Sequence, residues 1–189
     1  MKYTVFLDRD GVINHDSSDY IKTESEFSFI NKSPEAIALL TRAGFDVIVI
    51  TNQSAIARKM TTKKEIEKIF NKMKSGISDV GGEIKDIFFC PHLPDADCDC
   101  RKPNPGLIFQ ARKKYNIDLK YSCMVGDSVK DIECAKNAGC GLSVLVKTGN
   151  GEITEKLLAA KEINPDLVAN NLFEAVQWMI KSEINQNSG

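Results

Sequence analysis

The sequence predicts an α/β fold of three layers, Rossmann-like, with a mostly parallel sheet between helices. Two observations predict it. Apolar runs such as residues 5–7 and 45–50 are continuous rather than alternating, which is typical of strands covered on both faces. Segments with helical apolar spacing separate these runs, and that alternation favours parallel strands joined by helices. The 189 residues are enough for one well-packed domain, so we expect a single domain over residues 1–189.

Composition and charge limit the function. A formal net charge of -1 argues against nucleic-acid binding, which needs a basic face. No apolar run is long enough to cross a membrane. Met1-Lys2 leads directly into the first strand, so we expect no signal peptide and a cytoplasmic location. We also expect a monomer, because no helix carries an additional exposed apolar stripe, and a frayed tail at residues 184–189.

Two carboxylates, Asp8 and Asp10, follow the first predicted strand and precede Gly11. Ligands of open parallel sheets bind at the carboxyl ends of the strands. Acids crowded in this way repel each other unless a cation or a shared proton intervenes, and a divalent cation with oxygen ligands is the simplest solution. The alternative is that both are ordinary turn residues.

Two further polar stretches are candidates for substrate binding. Residues 15–30 predict a loop near the end of the first strand, and its residues Asp16, Ser17, Ser18, Asp19 and Tyr20 are suited to a polyol or a phosphate. The second stretch, Thr51-Asn52-Gln53-Ser54, follows the strand at 45–50 and offers hydroxyls, amides and backbone N–H groups to an anion. The alternatives are a solvated loop and a polar turn.

The remaining elements follow from apolar spacing and from caps. Ser33-Pro34 predicts a helix start with Ser33 as N-cap, and Gly44 its end. Thr62 and Glu65 predict a capping box for a helix over residues 62–80. Further strands are expected at 84–89, 121–125, 141–146 and 167–169, and further helices at 107–115, before Gly139, at 153–160 and at 172–180.

Residues 90–100, here called the zinc loop, contain Cys90, His92, Cys98 and Cys100. One histidine and three cysteines within eleven residues match a tetrahedral Cys₃His zinc site with no open position, so we expect structural zinc. The alternative is a set of reduced thiols. The other three cysteines, Cys123, Cys134 and Cys140, lie in apolar or helical surroundings and are expected to be small core residues.

Charged residues also follow the zinc loop and the fourth predicted strand. Arg101 and Lys102, stiffened by the prolines after them, predict a phosphate clamp; the alternative is a solvated basic pair. Asp127, after the strand at 121–125, is able to complete a magnesium site with Asp8. For Asp131, at the start of the next helix, support of that site and a favourable helix dipole remain open.

Taken in order, Asp8-Arg9-Asp10-Gly11, Thr51, Lys102 and Gly126-Asp127 resemble the four motifs of the haloacid dehalogenase superfamily of phosphotransferases. Within it, the chain is similar to small enzymes that dephosphorylate heptose bisphosphate or histidinol phosphate and carry a similar zinc-binding loop. The resemblance implies Mg²⁺ as catalytic cofactor, Zn²⁺ as structural cofactor, a sugar phosphate as substrate and no large cap domain.

The resemblance and the residue chemistry imply the same roles. Asp8 would be the nucleophile, Asp10 the general acid and base, and Thr51 and Lys102 the groups that stabilise the phosphoryl oxygens. Magnesium would be held by Asp8, the Asp10 carbonyl and Asp127. Arg101 would grip a second phosphate or a hydroxyl, and the sugar site would be lined by Asp16, Ser17, Ser18, Asp19, Tyr20, Asn52, Gln53 and Ser54.

Two hypotheses from other functional classes compete with the assignment as a phosphatase. A non-catalytic binding module stabilised by zinc would not need Asp8, Asp10, Thr51, Lys102 and Asp127 together. A phosphotransfer response regulator also has acids at strand ends, but it gives no reason for Asp10 or for the zinc loop.

Overall fold

A computed structural model describes residues 3–186, with the backbone alone for 183–186. Its strands are β1 (Thr4–Leu7), β2 (Asp46–Asn52), β3 (Asp86–Cys90), β4 (Ser122–Gly126), β5 (Leu142–Val146) and β6 (Leu167–Ala169). Its helices are α1 (Ser33–Arg42), α2 (Lys63–Ser78), α3 (Gly106–Tyr115), α4 (Val129–Ala138), α5 (Gly151–Ala160) and α6 (Leu172–Gln186). The predicted alternation of strands and helices is therefore confirmed.

All six strands form one parallel sheet in the order β3-β2-β1-β4-β5-β6. In the register, Leu7 at the end of β1 lies opposite Val49 of β2 and Val125 of β4. The chain runs outward from β1 in one direction and then from β4 in the other. The crevice between β1 and β4 is thus the position where parallel sheets of this topology bind ligands.

Side chains alternate along the strands between two packed faces. Val5 and Leu7 belong to a large cluster with residues of α1, α2 and α6, whereas Phe6 packs with residues of α3 and α4. Leu158 of α5 packs on the second face against Leu145 and α4. The sheet is therefore covered on both sides, as its continuous apolar strands predicted.

Some details differ from the sequence-based expectations. Ser33 is not an N-cap, because the cap position is Lys32 in a left-handed conformation and the Ser33 hydroxyl instead donates to the carbonyl of Ile13. The last helix is longer than expected and is described to Gln186. Residues 187–189 of the expected frayed tail lie outside the described residues.

Each connection between consecutive strands within residues 3–186 contains one α-helix and no additional domain, so no large cap covers the sheet. Among these residues, no helix has both the length and the apolar character that crossing a bilayer requires.

Candidate active site

Three carboxylates meet at the crevice between β1 and β4, and we call them the acidic centre. Asp8 directly follows β1, and its N–H donates to the carbonyl of Val125 at 3.0 Å. Asp127 directly follows β4, and Asp131 lies in the first turn of α4. One oxygen from each carboxylate lies within 4.8 Å of the others. Two of the three, Asp127 and Asp131, are almost fully buried.

Lys102 is the cation of the acidic centre. Its Nζ lies 2.8 Å from Asp8 Oδ1 and 2.6 Å from Asp131 Oδ1, and the residue is only 2% exposed. Three carboxylates and one ammonium leave a formal charge of -2 in a buried site. A divalent cation bound by carboxylate oxygens would neutralise this charge, so the donor set fits magnesium.

The carboxylate oxygens of the acidic centre are not equally available. Asp131 uses Oδ1 for Lys102 and Oδ2 for the N–H and hydroxyl of Ser128. Asp8 uses Oδ1 for Lys102 and for the N–H of Arg9 at 2.7 Å. Both donors of Asn150 contact Oδ2 of Asp127. Among the described residues, Asp8 Oδ2 and Asp127 Oδ1 are thus the oxygens left for a metal or a substrate.

The uncompensated charge also perturbs the ionisation of these groups. Burial, followed by the charge of Asp131, raises the pKa of Asp127 to about 7. Burial likewise raises the pKa of Asp8 well above its usual value, although Lys102 opposes the effect. For Lys102 burial lowers the pKa, but Asp131 and Asp8 outweigh it and the net pKa is raised. A raised pKa of a carboxyl group means that the folded protein disfavours its ionised form.

Glycines allow this close packing. Gly11 has φ +79°, and a Cβ there would lie 2.2 Å from Asp127 Oδ2. A Cβ on Gly126 would lie 2.1 Å from the Cβ of Asp131. Larger residues at these two positions would displace the carboxylates.

Hydrogen bonds from buried side chains orient the carboxylate of Asp10. The Nε and Nη2 atoms of Arg9 donate to its carboxylate at 2.7–3.0 Å, and Arg9 is 1% exposed. The amides of Asn14 and Gln53 donate to Asp10 as well, at 2.9 and 3.1 Å. Gln53 also donates to the Thr51 hydroxyl at 2.8 Å. Gln53 therefore supports two predicted catalytic groups.

Asn52 clamps the backbone of Lys102. Its Oδ1 accepts the Lys102 N–H at 3.1 Å, and its Nδ2 donates to the Lys102 carbonyl at 3.2 Å. The end of β2 thus fixes the segment that carries the buried ammonium group.

A cleft of about 560 Å³ opens above the acidic centre. It collects most of the predicted site residues: Asp8, Asp10, Asp16, Ser17, Ser18, Tyr20, Thr51, Asn52, Ser54, Arg101, Lys102 and Asp127. Two predicted residues do not line it. Asp19 forms an ion pair with Lys22 outside the cleft, and Gln53 is buried behind Asp10.

The four predicted zinc ligands come together. Cys90 Sγ lies 3.6 Å from His92 Nδ1 and from Cys98 Sγ, and Cys100 Sγ lies 3.3 Å from His92 Nδ1 and 3.5 Å from Cys98 Sγ. A tetrahedron with zinc–sulfur bonds of about 2.3 Å has edges of about 3.8 Å. All four groups are therefore close enough to bind one ion, and the three thiols are not in disulfides.

The zinc loop contacts the segment that contributes cations to the cleft. Arg101 Nη1 donates to the carbonyl of His92 at 3.2 Å, and Asn104 Nδ2 donates to the carbonyl of Cys98 at 2.9 Å. A Cβ on Gly106 would lie 2.3 Å from the carbonyl oxygen of Asp99, so the start of α3 packs directly on this loop.

The site also includes residues that the sequence did not single out, among them Arg9, Asn150 and Lys130. Arg9 holds Asp10, Asn150 holds Asp127, and Lys130 lines the cleft. Asn150 had a usable signal, because Thr148-Gly149-Asn150 follows β5 and so lies at the same edge of the sheet as the acids. No comparable pattern distinguishes Lys130 from the other lysines of the chain.

Known proteins with similar sequences point to one family. The family described as HAD-hydrolase-like matches residues 99–175. A D-glycero-beta-D-manno-heptose-1,7-bisphosphate 7-phosphatase of Pseudomonas aeruginosa is 48% identical over 147 residues, which are 78% of this chain and 82% of that protein. The corresponding alpha-named phosphatase of Photorhabdus laumondii is 40% identical over 177 residues, 89% of this chain and 91% of that protein.

A solved structure gives the same result. The D,D-heptose 1,7-bisphosphate phosphatase of B. bronchiseptica, complexed with magnesium and phosphate, superposes with a TM-score of 0.90 at 38% identity. The match covers 96% of this chain and 99% of that one. Both chains thus share the fold over almost their whole length.

Proposed function

This chain belongs to the haloacid dehalogenase-like family of phosphoric monoester hydrolases, and on that premise we propose that it removes the 7-phosphate of D-glycero-D-manno-heptose 1,7-bisphosphate. The observation that carries the proposal is the acidic centre with Lys102 at the base of an open cleft. Relatives named for both anomers match, so the proposal covers the heptose without a choice of anomer. Such a reaction belongs to the synthesis of ADP-heptose for the lipopolysaccharide core.

Asp8 is the nucleophile. A carboxylate oxygen of Asp8 attacks phosphorus, the bond to the sugar oxygen breaks, and an aspartyl-phosphate forms. Magnesium, held by Asp8, Asp127 and the Asp10 carbonyl, supplies the positive charge that lets a carboxylate approach a phosphate dianion. Asp131 has both oxygens engaged, so its role is to hold Lys102 rather than to bind the metal.

Asp10 is the general acid and base. It gives a proton to the departing sugar oxygen and then takes one from the water that hydrolyses the aspartyl-phosphate. Arg9 and Gln53 fix its carboxylate from behind, which keeps it at the cleft. The Thr51 hydroxyl and the Lys102 ammonium group stabilise the phosphoryl oxygens in the transition state.

The cations at the mouth of the cleft are suited to a second phosphate. Lys102 is engaged by Asp8 and Asp131, whereas Arg101 and Lys130 line the cleft and form no ion pair with another described residue. Arg101 can therefore present its planar fork to the second phosphate. Asp16, Ser17, Ser18, Tyr20, Asn52 and Ser54 line the sugar site.

Zinc at Cys90, His92, Cys98 and Cys100 has a structural role in this proposal. Its four ligands leave no open position for chemistry, and the loop has few apolar residues of its own. We further infer a cytoplasmic monomer whose partner is a small sugar phosphate.

The test is a substrate panel with purified enzyme: heptose 1,7-bisphosphate, heptose 7-phosphate, histidinol phosphate and p-nitrophenyl phosphate, each with and without Mg²⁺. We expect Mg²⁺-dependent release of phosphate, with the highest kcat/KM for the bisphosphate. A preference for histidinol phosphate would mean that the chain is a histidinol-phosphate phosphatase of the same family and not a heptose bisphosphate phosphatase. An absence of hydrolysis on every ester would favour a binding module.

Asp8→Asn serves as the matched variant, because the amide keeps the size of the side chain but is a poor nucleophile. We expect no measurable turnover together with an unchanged circular dichroism spectrum. Substantial residual phosphatase activity of Asp8→Asn would refute the assignment of the nucleophile.

A further inference from the structure

We propose that Asn150 is a positioning residue that couples the magnesium site to the mouth loop, which we define as residues 15–20. The inference rests on the magnesium site of the proposed function but not on the identity of the sugar. It starts from one residue that holds two carboxylates far apart in the chain. The N–H of Asn150 donates to Asp127 Oδ2 at 2.8 Å, and its Nδ2 donates to Asp16 Oδ2 at 3.2 Å and to Asp127 Oδ2 at 3.3 Å.

The segment that carries Asn150 is fixed against the segment after β1 that contains Asp8, Asp10 and Gly11. The Thr148 hydroxyl donates to the carbonyl of Gly11 at 2.6 Å. Gly149 has φ +60°, and a Cβ there would lie 2.2 Å from Asp127 Oδ2 and 2.6 Å from the Cα of Gly11. The Asn150 amide therefore has a defined position beside Asp127.

Asp16 connects this amide to the backbone of the mouth loop. Its Oδ2 accepts from Asn150, and its Oδ1 accepts the N–H of Ser17 at 2.8 Å. Asp16, Ser17, Ser18 and Tyr20 all line the cleft, so a shift of this loop changes the shape of the substrate site. Asp16 is exposed, and the Asn150 amide donates to it from the edge of the sheet.

The coupling follows from competition for the Asn150 amide. Before magnesium binds, Asp127 Oδ2 accepts from both the N–H and the Nδ2 group of Asn150. A cation bound at Oδ1 withdraws electron density from this carboxylate and weakens Oδ2 as an acceptor. The Nδ2 group then donates more strongly to Asp16. Magnesium binding should thus draw the mouth loop toward the site, and by linkage a held loop should favour magnesium.

The experiment is hydrogen–deuterium exchange of the mouth-loop amides, with and without saturating Mg²⁺, and with Mg²⁺ binding measured separately by calorimetry. In the wild-type protein we expect Mg²⁺ to slow exchange in residues 16–20 by about fivefold or more. Asn150→Ala should still bind Mg²⁺, because the backbone N–H at this position still donates to Asp127. It should lose the Mg²⁺-dependent protection of the mouth loop. Asn71→Ala, an exposed position on α2, should behave as wild type.

Two substitutions of Asp16 distinguish the role of its hydrogen-bond acceptor from the role of its charge. Asp16→Ala removes the acceptor and should also abolish the Mg²⁺-dependent protection, without touching Asp127. Asp16→Asn removes the charge but keeps an oxygen acceptor, so most of the protection should remain. If Asn150→Ala bound no Mg²⁺, Asp16→Ala would decide the question alone.

The proposal is overturned if Mg²⁺ protects the mouth loop equally in wild type and Asp16→Ala, or does not protect it in wild type. A wild-type protein that binds no Mg²⁺ in the calorimeter would instead contradict the proposed function. The two failures are therefore distinguishable.

Discussion

The two candidate metal centres of this chain are built in opposite ways. The acidic centre lies where β1, β4 and α4 meet, and the register of the sheet places Asp8 and Asp127 directly after neighbouring strands. In the Cys₃His centre only Cys90 is buried at the end of a strand, and His92 is exposed on the loop. We expect metal to serve chemistry at the first centre and folding at the second.

The difference lies in what each centre loses when its ion is absent. Without its ion, the acidic centre keeps the packing of the surrounding strands and helix. Its carboxylates then repel each other, so they lower the stability of the folded protein. The zinc loop would lose four metal–ligand bonds and has little apolar packing to replace them. A substitution at the first centre should therefore affect activity more than stability, and one at the second should affect stability as well.

The largest effect is expected for Asp127→Asn. The change removes the charge of a proposed magnesium ligand, which we expect to lower kcat/KM by about 10³-fold, the equivalent of about 4 kcal/mol. Without added Mg²⁺ the same change should raise Tm by roughly 3 °C. The reason is that the pKa of Asp127 is raised to about 7, so its charge destabilises the folded protein near neutral pH. Turnover with Mg²⁺ and thermal melts of the zinc-loaded protein without added Mg²⁺ test both parts.

Asp79→Asn is the control for this experiment, because Asp79 is exposed at the end of α2. It should change neither quantity. A fall of more than 5 °C in the Tm of Asp127→Asn would show that this acid supports the fold, and the proposed contrast between the two centres would be lost.

A smaller loss of activity but a larger loss of stability is expected for Cys98→Ser. The change breaks the Cys₃His set, and we expect Tm to fall by about 10 °C, since structural zinc contributes several kcal/mol. Activity should drop about tenfold, because Arg101 hydrogen-bonds to the backbone of this loop. Zinc content, Tm and kcat/KM are the measurements.

Cys140→Ser changes a partly exposed cysteine outside the zinc loop and should retain zinc and activity. Chelated wild-type protein that keeps full Tm and full activity with added Mg²⁺ would mean that the loop does not depend on its metal.

The fold and the grouping of the candidate site residues were accessible from the sequence because they depend on short patterns. Continuous apolar runs give strands such as β1, and the topology brings residues after those strands to one edge, which locates Asp8 and Asp127. The spacing of Cys90, His92, Cys98 and Cys100 predicted in the same way that these four side chains lie together. These patterns can be recognised in a sequence without knowing where each side chain points.

What the sequence left open depends on side-chain direction. Gln53 and Asn52 are neighbours in one polar turn, yet Asn52 lines the cleft and Gln53 is buried behind Asp10. Asp19 has a lysine three residues away that draws it out of the cleft. Ser33 has the residue type and position of an N-cap, but its hydroxyl finds a tertiary partner. Local propensity does not contain such long-range contacts.

The smallest effect is expected for Asn52→Ala, which tests the boundary between the two centres. Lys102 belongs to the acidic centre but follows the zinc loop in the chain, and Asn52 ties its backbone to β2 through two hydrogen bonds. If the sheet edge positions Lys102, as the contrast between the centres requires, losing both bonds should lower kcat about tenfold, the equivalent of about 1.4 kcal/mol. Zinc content should stay at one ion per chain. An unchanged kcat with intact zinc would mean that the loop alone holds Lys102, and the acidic centre would then depend on the zinc site for its own cation.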